Sequence, residues 1–197
     1  MTIVDADRLL IESAMPRFDT TIAEHVVVCA SPSTTYRVAR SLDFLSVRTP
    51  VLTASMWIRG LPSRLLGKPA TPPPALVFTE DSAPLPGWLL LGDRPDREIA
   101  FGAVGKFWQP AIEWRDVPRA EFRDFNDPGW GKIAANFSVR PYGQSTLLSY
   151  ECRTVTTDTD SRRKFLRYWW LIRPFVGHIM RATLAKIKTD AEVAAVT

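Results

Sequence analysis

The feature that most constrains this chain is its last long stretch, residues 161–190, SRRKFLRYWWLIRPFVGHIMRATLAKIKTD. Stepped at about 100° per residue from Phe165, the side chains of Phe165, Trp169, Ile172, Val176, Ile179, Thr183 and Ile187 fall within roughly 40° of one line, the stripe of a helix lying on a surface. Arg163, Lys164, Arg167, Arg181 and Lys188 fall on the far side. Trp170, Leu171 and Phe175 lie off the stripe, so the first half of this helix is expected to pack on two sides, with an extra amino-terminal helix as its cover. Pro174 deletes the hydrogen bond to the Trp170 carbonyl and predicts a bend, and Gly177 loosens the next turn.

The rest of the chain must supply the surface. Residues 4–13 predict a short helix, an appendage within residues 1–16. Residues 20–29, TTIAEHVVVC, alternate Ile22, Glu24, Val26 and Val28 against Thr21, Ala23, His25 and Val27, a β-branched strand with His25 exposed. Ser31-Pro32 is a helix start, with a capping hydroxyl followed by a proline whose missing N–H costs nothing at that position. It opens a helix over 32–42 that turns Tyr36 and Ala39 to a core. A second helix is expected over 50–66, ended or kinked by Pro62, and residues 68–86, with Pro69, Pro72, Pro73, Pro74, Pro84 and Pro86, form a Pro-rich loop. Strands are then expected over 88–91, 98–108, 113–117, 120–125, 130–140 and 145–156, separated by turns such as Asn126-Asp127-Pro128-Gly129. Ile99, Phe101, Ala103, Gly105 and Phe107 share one face, where small residues between aromatics leave room for a helix or a ligand. Along 130–140 the apolar Ile133, Ala135, Phe137 and Val139 oppose Lys132, Asn136, Ser138 and Arg140, which predicts a sheet with one wet side. Residues 158–161, Asp-Thr-Asp-Ser, supply the cap of the long helix.

At 197 residues and 46% hydrophobic content the chain is read as one domain, 1–197. No apolar run approaches the roughly 18 residues that cross a bilayer. The amino terminus carries acids where a secretory leader would carry Lys or Arg, so a cytoplasmic location is expected. The net charge of +4 is unevenly distributed: residues 161–197 hold a local +6, which leaves −2 for the remainder. The basic balance therefore belongs to one helix face, and no nucleic-acid partner is expected; weak contact with an anionic membrane is the electrostatic alternative. Cys29 and Cys152 are expected to be reduced fillers, His25 and His178 have no ligand spacing, and neither a metal nor another cofactor is expected.

Strand, helices, an antiparallel meander and a long final helix argue an α+β fold. The segments TTIAEHVVVCASPSTTYRVARSLDF, FGAVGKFW, NFSVRP, LSYECRT and YWWLIRP, in that order, resemble the START-like and birch-pollen-allergen-like superfamily, which includes polyketide cyclases and lipid-transfer proteins; the likeness covers roughly residues 17–190. The resemblance implies a helix-grip fold, in which a curved antiparallel sheet wraps the last helix. With the elements read above, that gives about seven strands around a long kinked carboxy-terminal helix and two short helices after the first strand, while the extra amino-terminal helix and the Pro-rich loop are departures from the family's pattern. It implies a pocket between sheet and helix. It also implies that the first and last strands are antiparallel neighbours, which would bring Cys29 and Cys152 onto adjacent strands with Cα atoms within about 12 Å.

No nucleophile with a base, paired catalytic carboxylates, or phosphate-binding loop is found; FGAVG lies within a strand, where it cradles no phosphate. The candidate pocket residues are the aromatics Trp57, Phe101, Phe107, Trp114, Phe137 and Trp169, and the polar Glu151, Arg153 and Arg173, of which either arginine could pair a buried Glu151. Three functions fit: a binding protein for an apolar or aromatic small molecule, a polyketide-cyclase-like enzyme, and a membrane-associated lipid carrier using Arg163, Arg167 and Arg181 with the Pro-rich loop. Scarce histidine and the absence of a placed carboxylate pair count against the enzyme.

Overall fold

The computed structural model describes residues 8–43 and 87–196, so the expected helix over 50–66, the Pro-rich loop and Trp57 lie outside the described residues. In chain order these residues form a helix Leu10–Ala14 (α1), a strand Thr20–Val28 (β1), a helix Pro32–Arg40 (α2), strands Trp88–Arg94 (β2) and Glu98–Gly105 (β3), a helical turn Arg119–Phe122 (α3), strands Gly131–Tyr142 (β4) and Ser145–Thr156 (β5), and a helix Thr159–Val196 (α4). The strands make one open antiparallel sheet in the order β1-β5-β4-β3-β2. The architecture is α+β, a five-stranded sheet with a long carboxy-terminal helix, where about seven strands were expected.

The two missing strands have a local cause. Over 113–117 only one bridge forms, Trp114 to Gly105. Pro118 has no N–H to give a ladder, and its carbonyl instead accepts from Glu121 N at 2.9 Å and Phe122 N at 3.1 Å, which starts α3. β4 and β5 are joined by the two-residue turn Gly143-Gln144, in which Gly143 takes φ 59°, a conformation that glycine adopts without strain.

Two cores sit on opposite faces of the sheet. On the inner face Ile99, Phe101, Ala135, Phe137, Val139 and Leu148 pack with Tyr36 and Ala39 of α2 and with Leu184, Ile187 and Ala191 of α4. Ser31 caps α2 by accepting from Thr34 N at 3.1 Å, and Arg40 ties the helix to β2 through Asp93 at 2.6 Å. The Tyr36 hydroxyl donates to the same carboxylate, whose pKa burial raises. On the outer face Leu91, Ala100, Val104 and Ala134 pack under Ile11 and Met15 of the α1 segment and under Val117 and Phe122. Gly102 makes this possible: a Cβ there would lie 2.9 Å from the Phe122 ring and 3.0 Å from the Ile133 carbonyl.

The expected wet side of β4 is therefore buried. Lys132, Asn136 and Ser138 are all covered, and only Arg140 is exposed. Lys132 gives its ammonium to the carbonyls of Phe122 and Arg123 at 3.2 and 2.8 Å, and burial lowers its pKa. Glu98 is 0% exposed and accepts from Leu10 N at 2.5 Å, Ile11 N at 3.1 Å and Asn136 Nδ2 at 2.6 Å. The amino-terminal helix is thus a lid on the outer core and not a cover for α4. Toward β1 the outer face stays wet, and Thr21, Ala23, His25 and Val27 are exposed there, as the alternation predicted.

β1 and β5 are antiparallel neighbours, yet the cysteines are not close. The register pairs Ile22 with Cys152, while Cys29 follows the far end of β1, where Val28 pairs with Thr146. Seven residues along a strand are about 23 Å, so neighbouring strands do not bring these two residues together. Both thiols are free.

Candidate functional site

The pleat decides which residues of β5 face the long helix. Phe137 pairs with Tyr150 and Ala135 with Cys152 across β4, and Glu24 and Ile22 pair with the same two residues across β1, so Tyr150 and Cys152 lie on the inner face. Glu151 and Arg153 alternate with them and point to the outer face. There they pair with each other at 2.6 Å, and Arg153 also donates to the Met15 carbonyl at 3.0 Å and stacks over Phe18 at 4.8 Å. These two expected pocket residues are instead a clasp on the segment between α1 and β1. Arg173 is exposed on α4, on the other side of the sheet from Glu151, so the expected ion pair does not form.

On the inner face the aromatic residues form one continuous wall. Ring centroids run from Phe107 to Trp114 at 5.8 Å, Trp114 to Trp88 at 6.1 Å, Trp88 to Phe101 at 6.0 Å, Phe101 to Phe137 at 5.9 Å and Phe137 to Tyr150 at 4.5 Å. Four residues picked from the sequence, Phe101, Phe107, Trp114 and Phe137, are brought together here. Phe101, Phe107 and Phe137 are fully packed, so they form the backing of the wall, whereas Trp88, Trp114 and Tyr150 keep part of their surface. The room at Gly105 is occupied by the chain itself: a Cβ there would meet Phe107 at 3.0 Å and the Trp114 ring at 3.1 Å.

α4 runs continuously through Pro174 and packs on β1, β5 and α2. It comes close to β1 at Gly177, where a Cβ would stand 3.3 Å from Ile22 Cδ1 and 3.5 Å from Glu24 Oε1. The stripe is buried at both ends, at Phe165 and at Thr183 and Ile187, while Trp169, Ile172, Val176 and Ile179 between them stay partly accessible. Trp169 stacks on Phe165 at 6.0 Å. On the strand next to Ile22 and Glu24, Tyr150 and Cys152 are also partly accessible, although protein surrounds them closely enough for burial to raise both pKa values. The Cys152 thiol, with Glu151 as a lesser cause, is pushed up to about 12.

The candidate site is this stretch between the Tyr150–Cys152 portion of the sheet and the Trp169–Val176 portion of α4. Tyr150 and Cys152 escaped the sequence reading because charge drew attention to the opposite phase of β5. The usable signal was the cross-strand pair of Phe137 with Tyr150, which requires the register to be known. With phenol and thiol both held protonated, Tyr150 and Cys152 offer weak donors on an apolar surface. Among the described residues no group of three His, Cys, Asp or Glu side chains is placed to hold a metal ion. Open clefts lie elsewhere: one of about 340 Å³ beside the start of α4, lined by Lys106, Trp108, Asp158 and Lys164, and one of about 430 Å³ on the outer face beside Arg17, Arg123 and Lys132.

No protein-family model matches the chain, and no curated protein matches it. Among solved structures it is similar to protein CV1439 from Chromobacterium violaceum, at 13% identity and a TM-score of 0.36 over 90% of this chain and 99% of that one. CalU16 from Micromonospora echinospora is 11% identical with a TM-score of 0.31, over 89% of this chain and 85% of its own. TTHA0849 from Thermus thermophilus is 11% identical with a TM-score of 0.32, over 89% and 99%. These identities and TM-scores are too low to assign the chain a family.

Proposed function

We propose that the chain is a helix-grip protein that binds and carries an apolar or aromatic small molecule between the inner face of β4 and β5 and the middle of α4. One observation carries this reading: a helix stripe buried at both ends stays accessible at Trp169, Ile172 and Val176, and the strand positions on the facing surface, Tyr150 and Cys152, are accessible too. Two surfaces that pack well above and below such a stretch leave it open at a cost in lost contacts, which a ligand would recover. The wall of rings suits flat apolar groups, and the Tyr150 hydroxyl supplies a polar handle.

A filling substitution tests it. The apolar probe 1-anilinonaphthalene-8-sulfonate is expected to bind the parent protein saturably, and Cys152→Phe to weaken that binding at least about tenfold while keeping the parental urea midpoint, because the new ring enters open space. In a packed core the same enlargement costs about 1–3 kcal/mol. A Cys152→Phe protein that is destabilised and still binds the probe refutes the proposal.

A further inference from the structure

The outward face of α4 has no role in the carriage just proposed, and it is unusual. Trp170 is 82% exposed, Leu171 62%, Phe175 47% and Leu166 38%, and Pro174 between them is exposed as well. Trp170, Leu171, Pro174 and Phe175 stand at i, i+1, i+4 and i+5, within an arc of about 140° on two neighbouring turns, so they form a contiguous apolar patch. Arginines rim it. Between residues 161 and 189 the chain has no Asp or Glu. Five of the helix cations are engaged, Arg162 with Asp19, Lys164 with Asp160, Arg181 with Glu24, Lys186 with Asp190 and Lys188 with Glu192. Arg163, Arg167 and Arg173 are exposed and have no acid partner among the described residues.

We infer that this face docks α4 lengthwise on an anionic lipid surface. A helix with exposed Trp, Leu and Phe beside unpaired arginines matches the interfacial zone of a bilayer, where rings and aliphatic groups enter the acyl boundary and guanidinium groups meet phosphates. Charge argues against a second copy of the chain as the occupant, because a two-fold pairing through this patch sets Arg163, Arg167 and Arg173 against their own copies with no acid to offset them. The structure changes which cations do this from those expected: Arg181 is held by Glu24 on β1, and Arg173 takes its place.

Sedimentation with vesicles tests the inference. At about 0.02 M salt the protein is expected to co-sediment with phosphatidylcholine vesicles containing about one-third phosphatidylglycerol, to bind pure phosphatidylcholine far less, and to be released at about 0.5 M salt. Each arginine at such a surface contributes about fivefold to binding, so the combined Arg163→Glu, Arg167→Glu and Arg173→Glu variant is expected to lose at least about a hundredfold. Trp170→Ala with Phe175→Ala is expected to weaken binding to anionic vesicles at unchanged far-UV circular dichroism, since both side chains lie outside the core. The inference is overturned if anionic vesicles are not bound at low salt, if the triple variant binds as the parent does, or if light scattering finds a dimer that Trp170→Ala converts to monomer. Probe binding in the Cys152 variant is read without vesicles, so failure of either reading leaves the other standing.

Discussion

Replacing Glu98 measures how tightly the amino-terminal helix is locked onto the sheet. The carboxylate is fully buried and holds three donors: Oε2 accepts from Leu10 N, and Oε1 accepts from Ile11 N and Asn136 Nδ2. Two of these are first-turn amides of α1, which no carbonyl within that helix can satisfy. Glu98→Gln keeps one acceptor oxygen. Whichever way the amide is turned, at least one α1 amide loses its partner, and an unsatisfied buried donor costs about 1–3 kcal/mol. The expected loss is therefore about 2 kcal/mol. Glu98→Ala removes all three bonds, leaves three buried donors unsatisfied, and is expected to cost about 3–5 kcal/mol. Urea unfolding followed by circular dichroism gives the global figure, and hydrogen exchange at the Leu10 and Ile11 amides shows whether α1 has lifted. If both variants stay within about 0.5 kcal/mol of the parent, the scatter of ordinary surface changes, with those amides still slow, the buried carboxylate is not what holds α1.

Two further substitutions probe α4. At Gly177 the atoms a Cβ would meet are mainly ends of side chains at 3.3–3.5 Å, so Gly177→Ala is expected to be neutral or to stabilise by up to about 1 kcal/mol through helix propensity, while Gly177→Leu wedges α4 off β1 and costs about 1–3 kcal/mol; thermal melts that move both variants the same way would contradict the close approach. Asp158 caps α4, accepting from Ser161 N at 2.9 Å, Ser161 Oγ at 2.7 Å and Gly129 N at 2.6 Å, and the Ser161 amide is the main cause that lowers its pKa to about 2. Because the folded value lies below the unfolded one, the stabilisation is complete above pH about 4 and fades as pH falls through about 2. Asp158→Ala is accordingly expected to be less stable than the parent by about 1–2 kcal/mol at pH 7, with the gap narrowing toward pH 2 in paired urea titrations.

Much of this could be read in the residues, and the failures share a cause. The alternation of β1, the Ser31-Pro32 start of α2, the inner phase of β4 and the capped helix at 159 are local patterns, and each is found within a few residues of its expected place. What lies above the other face of β4 is not local. Lys132, Asn136 and Ser138 have the spacing of a solvated face, and only the arrival of Ile11, Met15 and Phe122 from distant parts of the chain buries them. The same holds for the candidate site. Glu151 and Arg153 stand out in the sequence because they are charged, whereas the inner positions Tyr150 and Cys152 are identified by register, which a single strand does not encode. The two cysteines make the point in distance: the expected strand pairing forms, yet neighbouring strands bring together only residues at matching heights.

The position of β1 in the sheet has a consequence for the chain while it is being made. Among the described residues β1 is an edge strand whose one neighbour is β5, and their paired residues run from Thr20 with Thr154 to Val28 with Thr146. At about 5–20 residues per second a ribosome needs roughly 6–27 s to reach the partner residues after β1 has been made. β2 through β5 can zip together as successive neighbours as they emerge, but during that interval Val26, Val27 and Val28 have no strand to join. A nascent β1 is thus the segment most open to capture by a chaperone or by another unfinished chain, and a ribosome stalled before residue 145 would leave it permanently without its sheet.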